Sequence, residues 1–257
     1  MKDKMLPDIS PYRVITCRDN YDLLTREQKR IGSEWPEFML HDPVAQNLFS
    51  CYEKLPDYQF VLVDADTEEV VCIANSIPLL WEGRLEDLPD DGWDWALTKG
   101  LDDLACGRKP NLLCALQIVV FGGNRGRGIS THGVRAMKAI GQSHGLRGLI
   151  APVRPNRKSD YPDMPIDDYI RLKDVSGFPQ DPWMRVHARE GARIIKPCPT
   201  AMRITGTVAE WEKWTGLSFP RSGDYVVQGA LVRVRIDLEK DLGTYIEPNV
   251  WMWHPIE

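Results

Sequence analysis

GGNRGRGIST, residues 122–131, follows directly on the apolar run LLCALQIVVF, residues 112–121. Glycine and arginine alternate through the turn and no acidic residue interrupts them. The run ahead of it is a buried strand. Behind it THGVRAMKAIGQSHG puts Val134, Met137 and Ile140 at helical spacing and ends on Gly145, a helix with its stop signal. A strand that enters a glycine-rich turn and leaves as a helix makes an anion site. The first N–H groups of the helix have no internal partner, and the helix dipole is positive there. Glycine lets the backbone approach closely, and arginine adds charge-assisted contacts. The expected ligand carries a phosphate or pyrophosphate.

Two familiar phosphate motifs fail at a necessary position. A triphosphate-binding P-loop needs Gly-x-x-x-x-Gly-Lys-Ser/Thr. Gly123 and Gly128 have that spacing, but Ile129 stands where the lysine belongs. A dinucleotide fingerprint needs Gly-x-Gly-x-x-Gly. Gly126 and Gly128 supply the first pair, but Thr131 takes the third place, and the next strand runs into arginine and asparagine rather than an acid.

Outward from the turn, YRVITC (12–17) reads as a strand, and the segment after it as a helix with Leu23, Leu24, Gln28 and Ile31 near one face. YQFVLVDADTEEVVCIANSIPLLW reads as a hairpin around DADTEE. Residues 82–111 are acidic and Trp-containing, with a short helix expected inside an insertion between strands. LRGLIAPV (146–153) is the next strand. A polar, proline-rich stretch runs from Arg154 to Asp181. WMRVHAREG is a helix, ARIIKP a strand, and TVAEWEKWTG a helix with capping-box spacing between Thr207 and Glu210 and a stop at Gly216. YVVQGALVRVRIDL and TYIEPNVWMWH close the chain as strands. Trp251 and Trp253 share a face at strand spacing, which points to core or an interface.

Composition bounds the function. The chain has 257 residues and a net charge of −5, which argues against general nucleic-acid binding. No apolar run reaches the roughly 18–20 residues of a membrane span. MKDKMLPDIS lacks the apolar core of a signal peptide, so a cytoplasmic protein without a membrane partner is expected. The cysteines at 17, 51, 72, 106, 114 and 198 form no C-x-x-C pair. Buried thiols are expected rather than a metal site or a disulfide framework.

At its central turn the chain resembles the GCN5-related N-acetyltransferase family. The family's acyl-CoA motif, Gln/Arg-x-x-Gly-x-Gly/Ala, is met by Arg125-Gly126-Arg127-Gly128-Ile129-Ser130, with Ser130 a small departure read as a helix N-cap. The strand that follows ends in LIAPVRPN and supplies the family's asparagine as Asn156. HAREGARI sets His187 where the family often carries a tyrosine, with Gly191 at its glycine. The resemblance runs over residues 12–205 in element order and is specific over 116–156 and, more loosely, over 183–196. It implies an α/β (α+β) fold: a mixed, mostly antiparallel sheet, helices on both faces, and a V-shaped splay between the parallel strands 112–121 and 146–153. It implies one domain over 1–257, with an insertion near 82–111 and a C-terminal extension over 206–257.

It implies chemistry as well. Acetyl-CoA or another acyl-CoA is the co-substrate, with no metal. The backbone of Arg125, Gly126, Arg127, Gly128, Ile129 and Ser130 holds its pyrophosphate. The strand end at Ile118, Val119 and Val120 binds the pantetheine arm, and Asn156 contacts the cofactor. The acceptor is a small-molecule amine, entering near the 18–35 helix, the 82–111 insertion and the C-terminal strands. An alkylamine of pKa ~10.4 needs about 4.6 kcal/mol to be neutral at pH 7, which a desolvating pocket or a base must supply. An oxyanion donor is expected from the backbone of the 112–121 strand. His187, with a near-neutral pKa, is expected to protonate the departing thiolate, and Asn156 is the second catalytic candidate. The alternatives are a core or surface histidine at 187 and a turn asparagine at 156. Asp94, Asp181 and Glu247 are candidate bases, each also readable as surface or capping. Three functions stay open: an N-acetyltransferase, an acyl-CoA sensor without efficient catalysis, and a nucleotide- or polyphosphate-binding protein. The insertion and tail suit an acceptor pocket or a homodimer contact.

Overall fold

The computed structural model describes residues 9–256. The MKDKMLPDIS reading therefore lies outside the described residues except at Ile9 and Ser10. The strands are β1 Tyr12–Thr16, β2 Gln59–Asp64, β3 Val70–Leu79, β4 Leu112–Val120, β5 Gly148–Val153, β6 Arg193–Gly206, β7 Gly223–Tyr225, β8 Val234–Asp237 and β9 Leu242–Pro255. The helices are α1 Tyr21–Arg30, α2 Ser50–Lys54, α3 Gly92–Ala105, α4 Ile129–Ser143, α5 Ile166–Tyr169, α6 Pro182–Arg189 and α7 Val208–Thr215. One sheet runs in the order β1-β2-β3-β4-β5-β9-β8-β7, with β6 pairing β9. Among the described residues only β4 and β5 are parallel. This is the mixed, mostly antiparallel sheet expected.

Helices cover both faces because the strands alternate. Along β2, Val61 and Val63 meet Leu24 and Ile31 of the α1 segment in one cluster. Phe60 and Leu62 belong to the other, with Met137 and Ile140 of α4. Neighbouring residues of a strand point to opposite faces, so α1 and α4 lie on opposite sides. Every residue of β2 is buried, as a strand sandwiched by helices demands. Helix α3 packs on β3 and β6. Its Gly100 is required by the sheet beneath, since an added Cβ would stand 2.4 Å from Ile77.

Several sequence expectations are corrected here. The helix inside 82–111 is not short: α3 has 14 residues, with Trp93, Ala96 and Leu97 buried. ARIIKP is only the start of β6, which continues for 14 residues. Pro197 and Pro199 hide that continuation, yet β6 pairs only with β9 and is irregular between Cys198 and Met202, and edges and bulges tolerate proline. YVVQGALVRVRIDL is not one strand. Residues 226–233 form a loop between β7 and β8, turning at Gly229, whose φ is +84°. In the C-terminal extension, β9 lies beside β5 through Gly148↔Pro255 to Val153↔Val250. Trp253 covers that join, and Gly148 leaves room for its ring. Five cysteines are buried and all six are free, but Cys106 is exposed. No helix among the described residues is long and apolar enough to cross a membrane.

Candidate active site

The ladder between β4 and β5 is brief. Leu113 pairs Leu149 and Cys114 pairs Ile150, and no pair follows. Beyond that point the strands diverge, leaving their facing backbone edges without ladder partners. A cavity of about 260 Å³ opens in the gap, lined by Ala115, Leu116, Gln117 and Ile118 from β4 and by Ala151, Pro152 and Val153 from β5. A β-bulge helps to part the strands. Asn75 pairs Gln117 and Ser76 pairs Ala115, so Leu116 has no partner on β3. A bulge of this kind bends its strand. The Leu116 carbonyl accepts the indole N–H of Trp93 at 2.7 Å, which ties α3 to the divergence.

Past the splay, β4 enters the glycine turn. Gly123, Gly126 and Gly128 all have positive φ, and a Cβ on any of them would meet nothing within 4 Å. The turn is therefore a left-handed, open cradle that only glycine forms without strain. Helix α4 starts at Ile129, and its N-cap is Gly128, at φ +76°, with no side-chain cap. Ser130 is thus inside the first turn and is not the cap: the left-handed cap position excludes it. The helix N-terminus is left for an incoming anion. The arginine side chains are less free than their spacing suggests. Arg125 pairs with Glu34, which also accepts the Gly122 N–H at 3.1 Å. Arg127 donates to Asn124 at 2.7 Å and to Asp64 at 3.3 Å. The anion site therefore rests first on backbone amides and the dipole.

The sequence candidates separate in space. Ile118 lines the cavity. The Val119 side chain turns away into the α1-side cluster, and Val120 packs against the main core. Asn156 is exposed in the turn after β5 and is not among the cavity-lining residues. Arg154, two residues earlier, is. Asp181 caps α6, accepting from the Trp183 and Met184 amides, and Tyr169 and Arg157 fill its other oxygen, so it is not a base.

His187 does line the cavity. It is 1% exposed, and its Nδ1 lies 2.9 Å from Nε2 of His254 on β9. Its Nε2 has no hydrogen-bond partner. Burial, then the neighbouring His254, holds its pKa well below the ordinary histidine value. His254 is pushed down to about 4, first by burial and then by Lys138. The expected near-neutral pKa is not met: burial outweighs the Glu190 carboxylate that acts on His254, both rings are held below the ordinary histidine value, and the pair is neutral near pH 7.

Opposite the splay, the segment after α1 forms the other wall. Its 3-10 turns, Glu37–His41 and Ala45–Phe49, bring Met39, Leu40, Gln46 and Phe49 to the cavity beside Gln28 and Trp35. A buried polar chain fixes two of the wall residues. Tyr52 donates to Gln28 at 2.5 Å, Asn75 donates to the Tyr52 hydroxyl at 2.8 Å, and Gln117 donates to Asn75 at 2.6 Å. The lining also holds an ion pair, Arg154 with Glu247. Glu247 is fully buried on β9. It accepts from Arg154 at 2.8 Å and from the Tyr245 hydroxyl at 2.9 Å. With Asn249 oriented to donate, its other oxygen is met at 3.2 Å.

Two more carboxylates stand near Glu247. Asp94, on α3, accepts the Arg203 N–H at 3.2 Å through one oxygen. Burial, then the charge of Asp42, pushes its carboxyl up to about 8. Asp42 accepts the Val44 and Ala45 amides through one oxygen and shares a side-chain hydrogen bond with Asp94. Burial raises it too. Two carboxyls that repel each other in a buried place share a proton near neutral pH.

No family model matches the chain. A curated relative, arginine N-acetyltransferase avaD of Aspergillus versicolor, is 31% identical over 265 residues, covering 93% of this chain and 91% of its own length. Among solved structures, the loading GNATL domain of CurA from Lyngbya majuscula matches with a TM-score of 0.60 at 18% identity, over 95% of this chain and 98% of that one. At that identity the second likeness speaks for the fold alone.

Proposed function

Since this chain belongs to the GCN5-related N-acetyltransferase superfamily and moves an acetyl group from acetyl-CoA to an amine, we propose that its acceptor is a small-molecule amine, with arginine the first candidate. The relative's name supports arginine. The observation that carries the site is the divergence of β4 from β5 after two residue pairs, directly ahead of the open glycine turn. In this reading the backbone amides from Arg125 to Ser130 hold the pyrophosphate. The free edges of β4 and β5 take the pantetheine arm, as an added strand would be taken. The co-substrate supplies the acetyl thioester.

The remaining roles belong to the chain. The amine reacts only when neutral, and the apolar walls at Trp35, Met39, Phe49 and Trp93 favour its neutral form by desolvation. Backbone N–H groups on the unpaired edge of β4 beyond Ala115 are the donors for the developing oxyanion. His187 acts as a neutral imidazole. When His254 Nε2–H donates to His187 Nδ1, His187 carries its proton on Nε2 and offers a hydrogen bond to the departing sulfur. Asn156 has no part in this reading, because it sits in the exposed turn. A cytoplasmic setting belongs to the same reading, and the six unpaired cysteines support it.

Thiol release from acetyl-CoA tests the acceptor. Arginine is expected to release CoA with formation of an N-acetyl product, in preference to an arylalkylamine and an aminoglycoside. Release with either of those amines and none with arginine would overturn the assignment.

A further inference from the structure

Three side-chain amides stand side by side across the sheet: Gln59 on β2 pairs Asn75 on β3, and Asn75 pairs Gln117 on β4. Residues opposite each other in a ladder share one face. Gln59 and Asn75 are fully buried, and Gln117 lines the cavity. The next place in the row would fall on β5, but β5 has already diverged. The row of amides therefore ends at the gap between the parallel strands. Val119, two residues on from Gln117, lies in the cluster with α1, so Gln117 faces the gap from the α1 side. Helix α6, which carries His187, packs against α4 on the other side.

The direction of every amide in the row is fixed, because its partners decide which end is oxygen and which is nitrogen. The row starts on the backbone carbonyls of Leu55 and Ser76, which can only accept, and Gln59 donates to both through Nε2, at 3.1 and 3.0 Å. Gln59 Oε1 is thereby turned to Asn75, whose Nδ2 donates to it at 2.9 Å and to the Tyr52 hydroxyl at 2.8 Å. Asn75 Oδ1 is left to accept from Gln117 Nε2 at 2.6 Å. Both donors of Gln59 and both of Asn75 are used, as a buried polar network requires. Gln117 Oε1 is the open end: it accepts no bond among the described residues. The row thus presents a carbonyl oxygen, not an N–H, at the cavity wall.

We infer that Gln117 Oε1 accepts an N–H of the acceptor amine and so turns the amine's lone pair toward the acetyl carbon. The inference deepens the reading above and rests on its placing of acyl transfer in the β4–β5 gap. The bond strengthens during attack, because the nitrogen gains positive charge as the C–N bond forms. Gln117 itself takes no proton. A carboxylate at the same place would favour the ammonium form, which cannot attack. An uncharged carbonyl holds the amine with less of that bias, which suits a chamber whose apolar walls keep the amine neutral.

Gln117→Met, which keeps the length of the side chain and removes both polar ends, is expected to lower kcat/KM for the amine roughly 10–100-fold, the worth of a hydrogen bond to a group that is gaining charge. The assay uses whichever of arginine, an arylalkylamine and an aminoglycoside the unmutated protein acetylates fastest, so arginine can fail as the acceptor and leave this test standing. Acetyl-CoA affinity, measured by calorimetry, should stay as in the parent, and its retention is the check that the variant is folded. Gln59→Met tests the direction of the row from outside the cavity. Without the anchor on Leu55 and Ser76, Asn75 and Gln117 can turn over together and offer an N–H to the gap instead. The amine kcat/KM should then fall severalfold, again with acetyl-CoA affinity unchanged. An amine kcat/KM equal to the parent's in either variant would overturn the inference. So would a loss of acetyl-CoA affinity in Gln117→Met that matches its loss in kcat/KM, since that would put the amide on the pantetheine arm rather than on the amine.

Discussion

Gly128→Glu is expected to weaken acetyl-CoA binding roughly 100-fold or more, the equivalent of losing one or two charge-assisted contacts of about 1.5–3 kcal/mol each. Two causes act together. Gly128 sits at φ +76° as the cap of α4, where a side chain costs roughly 1–2 kcal/mol. The new carboxylate also faces the same free amides that the pyrophosphate needs. Calorimetric titration with acetyl-CoA measures the loss. Ser130→Glu separates charge from strain. Ser130 is the second residue of α4, and an acid there is favoured by the helix dipole. This variant should melt at or above the parent temperature and still bind acetyl-CoA poorly. Undiminished binding in both variants would remove the pyrophosphate from this turn.

The second large effect belongs to His187. His187→Phe is expected to lower kcat about 100-fold, within the usual range for a positioned proton donor, while acetyl-CoA affinity changes by no more than a few-fold. The pH profile carries the finer information. The working form is the neutral ring, and burial holds its pKa well below the ordinary value. The parent kcat profile should therefore show no histidine inflection between about pH 6 and 8. A clear inflection near 6.5 that vanishes in His187→Phe would mean that the ring titrates in the complex, contrary to its burial beside His254. Unchanged kcat would return His187 to the core as a packing residue.

The parts of the fold that could be read from residues alone were those with local signals. The strand, glycine turn and helix over 112–145 declare themselves by periodicity and by glycine. Helix α7 does so by its capping box, since Thr207 and Glu210 bond reciprocally. What escaped had its cause elsewhere in the chain. Strand β6 runs through two prolines because its partner β9 allows irregular pairing at an edge. The 3-10 turns that wall the acceptor chamber, Glu37–His41 and Ala45–Phe49, have no long apolar period to betray them. The cofactor side was legible for the same reason as the turn: its chemistry lies in consecutive residues. The acceptor side draws single residues from distant segments, such as Gln28, Trp93, Arg154 and Glu247, and no spacing announces them. Burial decided the remaining case. His187 was placed by its motif, but its charge state depends on His254, 67 residues away.

The most direct test of the account is a crystal structure of the acetyl-CoA complex. Pyrophosphate oxygens are expected on the backbone N–H groups between Arg125 and Ser130. The pantetheine arm is expected between the diverging edges of β4 and β5, and the acetyl group in the cavity within reach of His187. Density for the phosphates on another surface, with the glycine turn empty and the β4–β5 gap unfilled, would contradict it.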